Sequence, residues 1–429
     1  MKKIFSFAIV LITSIVVAQT NEVDYVVKNV NVVPMNSNLV LKNQDVKIKD
    51  GKIIEISKSK KSKNKTVKII DGKGMYLMPS LSDAHVHFPE TEKEMEKVMQ
   101  LNIINGITKL RSMRGDWNHV KWREKYNAET SYYPKLYISA PPISRQYDLT
   151  IEQMNDFVKS AKDYNFDFIK ILSIKSETLF KQLDSVCKSQ NISLAGHFLD
   201  NPKGIHISDE AFFNSNYKSF EHLGGLIGEP EKFDSRIKYI QDKKMVVCPT
   251  LLWYDIGSGQ YDTDYLINQD GMQFVKEETK KEWVEKTNLY REKTGKAALE
   301  VEIESEKKSM EERFSVVKKL NDLGIDLIIS PDASSKYMIS GFALFEEMKL
   351  YKKSGLSNYD ILKSSTLNFA KLFNENYGTI EIGKNADFIL LGENPLEKLE
   401  TLKEIKGVFY NNFYLNESQL NEIRNNIEK

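Results

Sequence analysis

The chain changes its hydrophobic rhythm twice. Residues 22–78 carry short runs rich in Val and Ile, namely VDYVVKNVNVVPM, QDVKIKDGKIIEIS and VKIIDGKGMYLM, broken by Asn, Asp and Gly. Branched apolar residues between turn formers mark strands. From Pro79 onward, short apolar runs alternate with stretches of helical period: LSDAHVHF, ITKLRSM, KLYISA, FDFIKIL, ISLAGH, KSFEHL, MVVCPTL and IDLIISP. Strands alternating with helices predict a parallel sheet, and eight such units predict a closed (β/α)8 barrel. Between the last two runs, at about residues 270–320, EVEIESEKKSMEERFSVVKKL sets Glu and Lys at i,i+4 spacings and predicts an exposed helical insertion. After about residue 372, YGTIEIGKNADFILLG returns to strand character. The expected division is a barrel over 79–372 and a small composite β-sandwich from both chain ends, residues 19–78 and 373–429. Lys58 to Lys65 reads as a solvated basic turn.

The start of the chain reads as an address rather than as part of the fold. Lys2 and Lys3 precede an apolar run of 14 residues, Ile4 to Val17, and Ala18 offers a small residue for cleavage. This is the pattern of a secretory signal, residues 1–18, so the mature protein is expected to be secreted or periplasmic. Neither that run nor any internal one reaches the ~20 apolar residues of a stable membrane span. Lys+Arg is 61 against 60 for Asp+Glu, which argues against a nucleic-acid partner held by a basic field. Two cysteines exclude a disulfide scaffold. Cys187 lies in a helical pattern and Cys248 in MVVCPTL, which reads as two separate buried thiols.

Candidate chemistry lies in the six histidines. His85 and His87, two apart in DAHVHF, share one face of a strand, roughly 7 Å apart along it, and at its end can converge on one ion. His197 closes ISLAGH, His222 is penultimate in KSFEHL, and Asp332 follows IDLIISP. The C-terminal ends of barrel strands are where catalytic groups gather. The separations fit: 85 residues from His85 to Lys170, 27 on to His197, and 25 more to His222. His119 reads as a surface loop residue and His206 as structural or rim-lining. Lys170 is the only basic residue in FDFIKIL. Such a lysine can snorkel or pair with a carboxylate. Burial and nearby positive charge also depress its pKa, and a neutral amine can add carbon dioxide to give a carbamate able to bridge two metals.

The segments GKGMYLMPSLSDAHVHF, FDFIKIL, LAGH, FEHLGG, SPDAS and TLNFAKLF with GTIEIGKNADFILLGENPLE occur in the order found in the metal-dependent amidohydrolase superfamily. The chain resembles that superfamily over nearly its whole mature length, most of all its binuclear carboxylated-lysine members, the Xaa-Pro dipeptidase-like and imidazolonepropionase-like enzymes. The resemblance implies that His85, His87 and Asp332 hold a first divalent ion, by default zinc, and that His197 and His222 hold a second. It implies that Lys170, as its carbamate, bridges them with a hydroxide. The chain departs from the pattern at Ser80, at Ser330 and Pro331, and after the third strand, where APPISRQ lacks a histidine. These departures bear on the substrate rather than on the ligand set.

With that ligand set a metal-activated hydroxide attacks a carbonyl polarised at the His197/His222 ion, and Asp332 moves the proton to the leaving amine. The expected activity is hydrolysis of a C–N amide bond in a dipeptide, N-acyl amino acid or cyclic amide, with Asp332 and His222 as catalytic residues. Substrate contacts are expected from Arg111, Arg114 and Arg145, whose guanidinium groups suit a carboxylate, and from Tyr254 beside Trp253. Rival readings are a mononuclear deaminase of a cyclic amidine, a lactonase on the same centre, and a secreted metal-binding protein without activity. Self-association is left open.

Overall fold

The computed structural model describes residues 23–60, 67–146, 149–199 and 207–428. The expected secretory signal, most of the basic turn and His206 lie outside the described residues. The first strands are β1 (Tyr25–Val32), β2 (Leu41–Lys49), β3 (Lys52–Lys58), β4 (Lys68–Asp71) and β5 (Tyr76–Pro79). Then come β6 (Leu81–Val86), β7 (Ile107–Ser112), β8 (Lys135–Tyr137), β9 (Ser139–Ile143), β10 (Phe168–Ile171), β11 (Ser193–His197), β12 (Tyr217–Glu221) and β13 (Val246–Cys248). The last are β14 (Phe388–Leu391), β15 (Ile405–Tyr410) and β16 (Phe413–Asn416).

Both chain ends build one sheet, in the order β16-β15-β14-β5-β1-β2-β3, with β4 also paired to β1. The seam is antiparallel, Phe388 opposite Pro79 and Leu391 opposite Tyr76. The expected sandwich is thus one continuous, branched ladder. The branch lies where β1 shifts register against β2, between Val27 and Val32. Its first half then pairs with β4 and its last two residues with β5. Val27, Val30, Ile48, Leu77, Phe388 and Phe409 give this sheet a core of its own.

The middle of the chain is α/β with parallel strands. One ladder is β6-β7-β8 and the other β9-β10-β11-β12-β13. The single run KLYISA serves both, since β8 pairs with β7 while β9 pairs with β10. The run IDLIISP forms no long ladder. Ile328 N–H donates to the Val247 carbonyl (3.0 Å), and Ala84 N–H donates to the Ile329 carbonyl (3.1 Å), so the run touches β13 on one side and β6 on the other. Pro331 ends it, and the Tyr351 hydroxyl takes the Ile328 carbonyl (3.0 Å).

Helices cover these strands through apolar stripes of period 3.6. Ile151–Asp163, started by a Thr150/Gln153 capping box, buries Met154, Val158 and Ala161. Glu177–Ser189, capped by Ser176, buries Phe180, Leu183 and Cys187. The expected insertion is two helices, Glu277–Thr294 and Lys296–Asp322. The first fully buries no residue, though Trp283 packs on Tyr337, whereas the second packs Met310, Phe314, Val317 and Leu320 against the core and is not wholly exposed. Cys187 and Cys248 are separate buried thiols. His119 differs from its surface assignment: it is buried, stacked on Trp122 (5.0 Å) and edge-on to Phe88 (5.1 Å).

Candidate metal centre

The six expected ligands meet at the C-terminal ends of the parallel strands. His85 lies in β6 and His87 just beyond it, Lys170 in β10, His197 at the end of β11 and His222 just past β12. His85 Nε2 is 3.3 Å from Lys170 Nζ and 3.7 Å from Asp332 Oδ2. His87 Nε2 is 3.4 Å from Asp332 Oδ1, and His222 Nε2 is 3.9 Å from Asp332 Oδ2. The His222 ring centroid lies 5.1 Å from that of His85 and 5.0 Å from that of His197.

Close strand approach and bent backbone make this convergence geometric. Gly196, at φ +131°, leaves no room for a Cβ, which would sit 2.1 Å from the Ile171 carbonyl oxygen, and so β11 carries His197 in beside β10. His222 (φ 70°), Thr250 (φ 51°) and Asp332 (φ 49°) are left-handed, a conformation costing a non-glycine residue of order 1–2 kcal/mol. Hydrogen bonds hold each turn. His222 N–H donates to the Cys248 carbonyl (2.9 Å), and Asp332 N–H to Ser330 Oγ (3.2 Å). Thr250 Oγ1 donates to the Pro249 carbonyl (2.8 Å), leaving it to accept from His222 Nδ1 at 2.6 Å. Ser330, one of the departures from the superfamily pattern, bonds Asp83 and the His85 carbonyl and ties the eighth run to β6.

Electrostatics favours neutral rings at these four histidines, each with one N–H and one nitrogen lone pair. Burial, helped by Lys170, takes His85 well below its usual range, His87 to about 3 and His197 to about 4. Burial and then His85 take His222 well below as well. Burial also brings Lys170 down to about 8 and raises Asp332 to about 6. His85 Nδ1 therefore donates to Glu221 Oε2 (3.0 Å), which turns Nε2 toward Lys170 and Asp332. His87 Nε2 and Asp332 Oδ1 are buried without any hydrogen-bond partner, although buried polar atoms are nearly always satisfied. A divalent cation satisfies a neutral imidazole and a carboxylate at once. One nitrogen or oxygen atom from each of His85, His87 and Asp332 falls within 4.8 Å of the others. The residues present fit a metal ion.

The expected substrate contacts divide. Arg111 does not reach the rim. It is buried below the centre, where Nη1 donates to Glu221 Oε1 (3.1 Å) and Nη2 to Ser219 Oγ (2.6 Å), over the Phe168 ring. Its Nε has no partner but is buried with the rest, so no edge of this guanidinium is open to a substrate carboxylate. Arg114 is exposed, 4.0 Å from Glu90. Arg145 is exposed, its N–H bonded to Ser173 Oγ (3.0 Å). Tyr254 shares a cavity of about 260 Å³ with His197 and His222, its ring centroid 6.3 Å from that of His222. Trp253 beside it is 40% exposed.

Two residues at the site lay outside the sequence expectations. Glu221 orients His85, and its signal was in plain view as the only carboxylate in KSFEHL. Arg313, on the helix Lys296–Asp322, lines the same cavity as Tyr254. It sits in a charged helical run, where nothing in the pattern sets it apart.

Residues 76–412 match the amidohydrolase family model. A search of curated proteins gives no match. Among solved structures, a Xaa-Pro dipeptidase with methionine bound in its active site is similar at 17% identity and TM-score 0.68, over 91% of this chain and 99% of that one. Bottromycin amidohydrolase is similar at 16% identity and TM-score 0.72, over 93% and 88%. The ochratoxinase of A. niger is similar at 15% identity and TM-score 0.66, over 92% and 96%. The family match over most of the length, together with the site geometry, places this chain in the amidohydrolase family, as a hydrolase of carbon–nitrogen bonds.

Proposed function

We propose that this chain is a secreted amidohydrolase that cleaves the amide bond of a dipeptide, N-acyl amino acid or cyclic amide at a binuclear metal centre in the mouth of a closed (β/α)8 barrel. One observation carries the proposal: groups from five separate strand ends converge, and His87 Nε2 and Asp332 Oδ1 face each other buried and unsatisfied. The contacts of residues 327–329 with both β13 and β6 support closure of the barrel. The similar structures include a prolidase complexed with N-methylphosphonate-L-proline, which supports an amino-acid-containing substrate.

In this reading His85, His87 and Asp332 would hold one ion, and His197 and His222 a second. Lys170, were its neutral amine to add one carbon dioxide and release one proton, would supply an anionic carbamate ligand. Bound divalent ions, by the nitrogen-rich donor set zinc, make hydroxide available near neutral pH and polarise the scissile carbonyl. The Asp332 carboxylate would take the proton of the attacking water and return it to the leaving amine nitrogen. Thr250 and Glu221 fix the tautomers of His222 and His85. Tyr254 and Arg313, both on helices, line the cavity beside His197 and His222.

The test is elemental analysis of the mature enzyme together with turnover on a panel of dipeptides, N-acyl amino acids, lactams, lactones and cyclic amidines. Two metals per chain, a lower count in Lys170→Met and hydrolysis of an amide are expected. One metal per chain with deamination of an amidine, or turnover confined to lactones, refutes the proposal.

A further inference from the structure

We infer that Arg313 reads a free carboxylate on the substrate, which makes acidic-ended amides, rather than their neutral carboxamides or uncharged lactams, the substrate class of this site. The inference rests on the proposed hydrolytic function and adds to it the group that selects the substrate.

Arg313 belongs to no strand end. It reaches the centre from the helix Lys296–Asp322, into the cavity that also exposes His197 and His222. Its guanidinium lies over the Tyr254 ring, Cζ 3.3 Å from the centroid. Contact with Tyr254 and the bond to the His222 carbonyl hold the planar fork in place, and a fork so held can meet a carboxylate with two parallel hydrogen bonds.

This guanidinium spends donors on the Tyr254 side chain and on one carbonyl, and the rest are unspent. Arginine has five N–H donors. Nη1 donates to the His222 carbonyl (3.2 Å), while Nε is buried with no acceptor. Among the described residues no carboxylate comes within 4.0 Å of it. Glu306 and Glu312 act on it only from a distance, and Glu312 accepts from Gly228 N–H (3.3 Å). The other inward arginines are committed: Arg111 to Glu221, and Arg236 to Asp209 and Glu229. Arg313 is thus a half-buried cation lacking a counter-ion, beside a centre built for cations. Burying a charge unpaired is costly, and a ligand carboxylate offsets that cost. A neutral amide cannot.

The competing explanation is purely structural, since the bond to the His222 carbonyl also clamps a left-handed turn. Calorimetric titration of the metal-loaded mature enzyme separates the two. The probes are L-proline and L-methionine, each against its carboxamide. Wild type is expected to bind the acids about 10–100-fold more tightly than the amides, the range for hydrogen bonds to a charged group. Arg313→Met is expected to abolish that preference by bringing acid affinity down to that of the amides, whose own affinity changes far less. Arg313→Lys keeps the charge without the fork, so it retains part of the preference, and it serves should the Met variant not fold. Three results overturn the inference: no acid preference in wild type, a preference that survives in the variants, or acid and amide affinities that fall together, as loss of a clamp requires. Failure of every amide in the turnover panel removes the hydrolytic reading, yet leaves the acid-over-amide preference to be decided by the titration.

Discussion

Glu221→Gln tests whether the centre depends on charge placed beneath it. Glu221 is buried and shared: Oε1 accepts from Arg111 at 3.1 Å and Oε2 from His85 at 3.0 Å. At an effective dielectric near 20, the Arg111–Glu221 attraction is about 5 kcal/mol. Glutamine keeps the volume and one acceptor but leaves the Arg111 guanidinium, 1% exposed, without a counter-charge. Breaking one side of such a buried pair costs about 3–5 kcal/mol, whereas replacing both partners with apolar residues is often neutral. Thermal unfolding, read as an apparent Tm at one fixed scan rate, is therefore expected to fall by about 6–20 °C at ~2–4 °C per kcal/mol. Arg111→Met with Glu221→Leu is expected to recover most of that loss. The double variant remains poor in metal, because His85 no longer has its Nδ1–H partner, and loss of such support weakens metal binding about 10–100-fold. A Glu221→Gln protein with unchanged Tm and unchanged zinc affinity refutes the view that this pair positions His85.

Glu347 governs a pH effect away from the metal. Its carboxyl accepts from the N–H groups of Leu251 (2.8 Å) and Leu252 (2.6 Å), yet burial pushes it up to about 8. Folding thus takes up a proton, so this contribution to stability is full below the ordinary carboxylate range and is lost as pH rises through the folded value. Wild-type Tm should fall from about pH 6 to about pH 9 more steeply than that of Glu347→Gln, and parallel curves contradict the assignment. Gly196→Ala should be insoluble or destabilised by more than about 4 kcal/mol, since its Cβ meets the Ile171 carbonyl; soluble expression with wild-type Tm counts against the close approach. Zinc at 1,000 times its dissociation constant should stabilise the protein by about 4 kcal/mol, chelator should reverse the shift, and His87→Ala should blunt it.

What the sequence made legible follows from spacing. His85 and His87 two apart, and Lys170, His197 and His222 about one unit apart, are placed by the period of the strands, so their convergence could be read in advance. Arg111 was misplaced for a reason of the same kind. It lies within β7 rather than beyond it, and its partner Glu221 stands 110 residues away. No local pattern says that a charged residue on a strand turns inward to a mate so distant. Arg313 and His119 were missed because helical runs of mixed charge look alike until packing chooses which side faces in.

The seam between β5 and β14 bears on the order in which the molecule is made. Tyr76–Pro79 emerges early in synthesis, yet its antiparallel neighbour Phe388–Leu391 emerges some three hundred residues later. Until then one border of the early strands stays bare, a template onto which any other extended segment can zip. Chains cut short before Leu391 should therefore clump rather than fold into a smaller working enzyme.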